Sequence, residues 1–227
     1  MIRRVAFLPL LLALAGCTNL LHSNAAAEQV YYLRARGAAA ESARPANLMS
    51  VRVGRPVPGP GLDSSHILLL ESNRRMSYYT ASRWPAALPE VIEELTAETL
   101  RASGSWSDVQ TSESAFPSEY LLQIRIRRFD ADYPSSSAGR GAAAPEVHVA
   151  LDCTLGRRSG REVIATFAAE GSANAVANKL GDVVAAFEDA VNVALSAVAT
   201  RAADAASAAA ASAADQKVDN PVTSIKR

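Results

Sequence analysis

The chain has 227 residues, 49% of them hydrophobic, with 23 basic side chains balancing 23 acidic ones at a formal net charge of zero. That balance lacks the strongly basic footprint that a nucleic-acid-binding domain carries. The length fits one globular domain with flanking segments, and no internal repeat is visible.

Arg3 and Arg4 precede an apolar run over residues 5–12 that only Pro9 interrupts, which is the layout of an export signal. The run is far short of the roughly 20 residues a helix needs to cross a bilayer. Leu14-Ala15-Gly16-Cys17 then matches a lipobox, in which the cysteine is acylated and becomes the first mature residue. A cysteine buried in an apolar helix would not explain why the run stops there and Thr18-Asn19 follows. Residues 1–16 are therefore expected to be cut off and Cys17 to carry the lipid. One acyl chain binds marginally, so stable anchoring comes from several. Thr18 stands where lipoproteins retained at the inner membrane commonly carry Asp. The expected location is thus the periplasmic face of the outer membrane of a Gram-negative cell.

Losing Arg3 and Arg4 leaves 21 basic residues against 23 acidic ones, from which no partner follows. With Cys17 lipidated, Cys153 has no intramolecular disulfide partner and is expected to be a small core residue rather than a reactive thiol.

Residues 17–28 read as a tether and residues 29–202 as the folded domain. The first strand is expected over 29–34, rich in β-formers Val30, Tyr31, Tyr32 and Leu33, and the second over 48–53. Three prolines in residues 56–61 remove ladder donors, so a stiff surface connection is expected there. Residues 67–71 and 76–80 flank a turn as a hairpin. Pro89 opens a helix with Val91, Ile92, Leu95, Thr99 and Leu100 on one face, ended by Ser103-Gly104. A short strand at 106–110 precedes a longer one at 120–130, where Leu122, Ile124 and Ile126 alternate with Gln123, Arg125 and Arg127. After a loop over 134–145, strands 147–155 and 162–170 pair across Gly156-Arg157-Arg158-Ser159-Gly160. Val176, Leu180, Val183, Val184, Phe187, Val191, Leu195 and Val198 then recur at helical spacing. Residues 203–227 continue as an alanine-rich extension and a disordered tail, the alanines either packing closely on a neighbouring helix or fraying into solvent. The fold class is α+β: one domain with a mostly antiparallel sheet and two main helices on one face.

Reactive groups do not converge in this pattern. His22, His66 and His148 have no ligand-spaced neighbours, so no metal or cofactor site is expected. Asp130 and Asp132 fit turn chemistry better than acid–base catalysis. Residues 54–61 hold glycines but lack the lysine of a phosphate-binding loop. Arg125, Arg127 and Arg128 either form a stripe for anionic headgroups or an acidic partner, or simply solubilise a strand face. Trp84 is either an interface anchor or a cover over the core.

The lipobox, Tyr31-Tyr32-Leu33, Met49-Ser50-Val51-Arg52-Val53, Leu62-Asp63, Asn73-Arg74, Tyr78-Tyr79 and Arg83-Trp84 with Leu88, followed by the 120–130 strand, together resemble the ABC-type transport auxiliary lipoproteins, the PqiC-like family. In place of that family's Trp-x-Glu-Pro-Leu, this chain has Trp84-Pro85-Ala86-Ala87-Leu88. The resemblance implies a non-enzymatic, lipid-anchored accessory of an MCE or Mla-type system that moves phospholipid or other hydrophobic cargo across the envelope. Its partners would be an MCE-domain protein and its ABC transporter, with Tyr78, Tyr79, Arg83, Trp84, Arg125 and Arg127 as interface candidates. A homo-oligomer around a conduit stays open, as does a carrier holding an acyl chain between helices and sheet. A Cys17→Ser variant is expected to lose fatty-acid labelling and to fractionate away from membranes. Labelled, membrane-bound product would contradict the anchor.

Overall fold

A computed structural model describes residues 27–36, 50–71, 73–134 and 143–219. Cys17, His22, Met49, the 135–142 segment and residues 220–227 lie outside the described residues, so the expectations for signal, tether and tail fall outside them wholly or in part. Among the described residues the order is β1 Gln29–Val30, β2 Val51–Val53, β3 Val57–Pro58, β4 His66–Leu70, β5 Met76–Arg83, α1 Leu88–Ala102, β6 Val109–Gln110, β7 Tyr120–Asp132, β8 Glu146–Arg157, β9 Glu162–Asn174 and α2 Leu180–Asp219.

Strand β7 is the axis. Its alternation buries Leu122, Ile124 and Ile126, and a bulge between Ile126 and Arg128 shifts the phase so that Phe129 and Ala131 are buried next. On one side β7 pairs antiparallel with β8, which pairs antiparallel with β9. On the other side β2, β3 and β4 lie end to end along β7, all parallel to it. The chain from Val51 to Leu70 thus travels once along β7 in three pieces. The α+β class, the single domain and the two helices hold, but the sheet is mixed. Its parallel pairs need a crossover connection, and α1 lies within the stretch that returns from β5 to β7.

The proline segment is also more than a surface connection. Val57 and Pro58 pair with Arg125 and Ile126, because the donors that matter belong to glycines flanking the prolines. Gly54 N–H donates to the Leu122 carbonyl and Gly59 N–H to the Ile126 carbonyl, both at 2.9 Å. β1 stops at Val30, short of the expected Arg34, because the chain then leaves the sheet. Asp130 and Asp132 lie within β7 rather than in a turn, where both accept from Arg128 at 2.7 and 3.2 Å. Val176, 92% exposed, precedes α2 rather than joining its face. There Asn178 accepts a hydrogen bond from the Tyr133 hydroxyl at 2.7 Å, and the helix starts only at Leu180.

Helix α1 has Pro89 in its first turn, and Gly104 (φ 62°) follows its end in the left-handed region. Ile92, Leu95 and Leu100 join Val149, Leu151, Cys153 and Leu155 of β8 and Val183, Phe187, Val191, Leu195 and Val198 of α2 in one buried cluster. By length and composition, 180–215 of α2 could cross a membrane, yet 61% of its apolar 18-residue stretch is buried in the fold; it is a core helix.

The closest approach in that core is backbone to backbone. A Cβ at Gly171 of β9 would sit 2.1 Å from the Ala190 carbonyl oxygen and 3.0 Å from the Ala194 nitrogen of α2. Alanines at 186, 190 and 194 make this contact thin enough, and all three are buried. Gly171→Ala is expected to lower stability by about 1–3 kcal/mol through overpacking. Gly181→Ala, with nothing within 4 Å, is expected to raise it by about 0.4–1 kcal/mol. Urea denaturation distinguishes them, and equal effects would contradict the packing account.

Candidate functional site

The link between β5 and α1 is pinned at both ends. Trp84 N–H donates to the Ser65 carbonyl at 2.7 Å and Leu88 N–H to the Ser64 carbonyl at 2.9 Å. The Trp84 ring is wholly buried, edge-on to Phe129 and Phe187 at 5.9 and 5.4 Å, and those two rings stack at 4.9 Å. Trp84 therefore covers the core and offers no ring to a partner, which corrects its candidacy as an interface anchor. Its duty is to fix Pro85 and Ala86, the next residues, at the surface.

Opposite them runs a strap over residues 31–36. Tyr31 N–H donates to the Arg83 carbonyl at 2.9 Å, after which side chains of α2 replace the ladder. Asn192, itself buried, accepts from Arg36 N–H at 2.6 Å and donates to the Arg34 carbonyl at 2.9 Å. Glu188 accepts from Arg34 N–H at 3.1 Å, and the Arg36 guanidinium pairs with Glu188 and Asp189 at 3.3 and 2.5 Å.

Between strap, loop and α1 lies a groove of about 300 Å³. Its floor is apolar, with Leu33, Pro85, Ala86, Val91 and Leu95, and Tyr32, 72% exposed, stands at its side. Its rim is acidic: because the core takes Ile92, Leu95 and Thr99, the positions 90, 94 and 98 form one outward stripe of glutamates. Glu90 pairs with Arg55 at 3.1 Å and Glu94 with Arg101 at 3.7 Å, whereas Glu98 has no ion pair among the described residues. A second depression beside it shares Glu90 and Glu94 and adds Glu113. Arg55 and Arg101 offset two of these charges, and Glu98 and Glu113, without ion pairs among the described residues, leave the rim net acidic. Glutamates spaced by four on an amphipathic helix are legible in the chain, but sequence reasoning passed over them and took Tyr32 only as a β-former and a family landmark.

The other candidates lie elsewhere. Arg83 pairs with Glu28 at 2.8 Å beside the strap. Tyr78 is exposed and tilts against His66 with centroids 4.9 Å apart. Tyr79 is half-buried with its hydroxyl 2.8 Å from that of Tyr133, and burial first, then that hydrogen bond, pushes its pKa up. Arg125 is on the outer sheet face; Arg127 beside it is held by Asp152 at 2.8 Å and Glu170 at 2.5 Å. Among the described residues no three His, Cys, Asp or Glu are placed to hold a metal ion. His148 has Glu146 at 3.6 Å as its ion-pair neighbour. Cys153 is buried, and burial, followed by the negative Asp152, pushes its thiol up to about 12. It is therefore an inert core thiol at neutral pH.

Asn192→Ala is expected to cost about 1–3 kcal/mol by orphaning the strap's backbone groups. Limited proteolysis should then cut within 31–36 before any other site; unchanged cleavage would show that the strap is held by something else.

No curated protein matches the chain. Among solved structures, protein XCC0632 from Xanthomonas campestris is similar over 80% of this chain and 98% of its own, at 20% identity and a TM-score of 0.71. An uncharacterised protein follows, over 78% of this chain and 99% of its own, at 10% identity and a TM-score of 0.59. Both likenesses concern the fold. Residues 31–201, from the strap to near the buried end of α2, match the family model of the ABC-type transport auxiliary lipoprotein component, and the chain belongs to that family.

Proposed function

We propose that this chain is a lipid-anchored docking subunit, without catalysis of its own, at the periplasmic face of the outer membrane. It serves an MCE/Mla-type ABC transport system that carries phospholipid or other hydrophobic cargo. The observation that carries this reading is the groove between strap and α1. An apolar floor inside an acidic rim fits a partner segment that presents an apolar side chain flanked by Lys or Arg, and the MCE-domain protein is the partner proposed to supply it. The loop after Trp84 supplies Pro85 and Ala86 to this surface, and Arg83 lies beside the strap, paired with Glu28.

The alternative carrier role needs room for an acyl chain between helices and sheet. Trp84, Phe129 and Phe187 fill that interval with ring-to-ring contacts, which favours docking.

A Glu94→Lys/Glu98→Lys variant is expected to lower the affinity for the MCE-domain protein by at least about tenfold, since like charges then face each other. Melting temperature should stay within a few degrees of the parent, because both side chains are solvent-facing. Affinity unchanged in surface plasmon resonance would overturn the groove as the docking site. A deletion strain with normal MCE assembly and normal lipid distribution would overturn the role.

A further inference from the structure

The tip of the β8–β9 hairpin carries three arginines within five residues, Arg157, Arg158 and Arg161. They border a shallow groove of about 490 Å³ on the outer sheet face whose apolar part is Leu121 and Val163, the latter 64% exposed. Glu162 takes one of the three, pairing with Arg157 at 3.4 Å, while the Arg157 guanidinium also lies 5.9 Å from the Tyr120 ring centroid. Arg158 and Arg161 are exposed and have no ion pair among the described residues. The tip is nevertheless fixed: Arg158 N–H donates to the Glu119 carbonyl at 2.8 Å and Arg161 N–H to the Arg158 carbonyl at 3.3 Å.

A larger groove of about 590 Å³, farther along β8 and β9 from the tip and reached by Val193 of α2, supplies the contrast. It too is lined by two arginines, but Arg127 is taken by Asp152 and Glu170, and Arg128 by Asp130 and Asp132. Of the predicted arginine stripe only Arg125 lacks an ion pair among the described residues, and it lies on the same outward row as Leu121 and Gln123, toward the tip.

We infer that this hairpin tip is a membrane-contact site, in which Arg158 and Arg161 bind the phosphates of anionic phospholipid headgroups while Val163 and Leu121 meet the interfacial layer beneath them. Uncompensated guanidiniums beside exposed Val163 and half-buried Leu121 at a hairpin turn fit an interface with charge above and hydrocarbon below. An open groove suits a surface better than a small solute, which is held in an enclosed pocket. Reach is compatible. By register Arg83, beside which β1 begins the fold, is level with Arg128, and the tip lies roughly 30 Å away at ordinary strand spacings. Residues 17–28, fully extended, span at most about 40 Å. The site stands on the hairpin's own residues and holds whichever protein occupies the acidic groove.

The test uses the mature chain carrying Cys17→Ser, so that no acyl anchor contributes, and vesicle co-sedimentation with and without phosphatidylglycerol in phosphatidylcholine. Binding is expected only with phosphatidylglycerol and should weaken as salt is raised. An Arg158→Gln/Arg161→Asn variant should lose roughly fivefold per arginine, on the order of 25-fold together, with Asn chosen because residue 161 has φ 55°. Arg158→Lys/Arg161→Lys should retain most of the binding, and Arg127→Gln should leave it unchanged. Equal binding to both vesicle types, an unaffected Gln/Asn variant of unchanged melting temperature, loss in Arg127→Gln, or full competition by inorganic phosphate would each overturn the inference.

Discussion

The contact between Gly171 and the Ala190–Ala194 turn sets the geometry of everything else. A glycine on β9 and alanines on α2 let the helix backbone settle directly onto the sheet, with no side-chain layer between them. At that depth Phe187 reaches Phe129 and closes on Trp84, which then has no path to solvent. One helical step further, Glu188 and Asn192 face away from the sheet at the height where the strap passes. The helix that seals the core thus also holds the strap. The strap and the tryptophan-pinned loop become two walls of one groove, against α1 as the third.

The zero net charge of the whole chain conceals a division of surface. Glutamates at 90, 94 and 98 make one side acidic, whereas Arg158 and Arg161 leave the hairpin tip basic. Between them the outer face of β7 and β8 is neutralised locally, Arg127 being matched by Asp152 on the next strand and Arg128 by Asp130 two residues away. Individually such exposed pairs are worth a fraction of a kcal/mol. Collectively they decide where uncompensated charge remains, and hence which surfaces attract a charged partner.

What could be read from the chain was what is local. The alternation in β7, the turn-flanked repeats of β8 and β9, and the 3.6-residue period of both helices each declare a buried face without reference to distant residues. Parallel pairing of β2, β3 and β4 with β7 was not legible, because it depends on where a crossover returns the chain. Pro58 entered a strand against its propensity because neighbouring glycines carry the hydrogen bonds. Trp84 presented the same pattern whether covering a core or anchoring a partner, and only the arrival of Phe187 from more than a hundred residues away decided it. Val176 matched the helical period by coincidence of spacing, and the polar turn around Asn178 overrides it. The groove was half legible: the glutamate stripe is periodic, but its opposite wall is held by Glu188, Asp189 and Asn192, more than 150 residues along the chain.

The claim that this acidic, apolar-floored groove is where the transport machinery docks has a direct test. A photo-crosslinking amino acid placed at Val91 in living cells should yield an adduct that mass spectrometry identifies as the MCE-domain protein or its transporter. The same probe at exposed Phe116 should not. Adducts from Phe116 alone, or a Val91 probe that captures no component of such a system, would contradict the account.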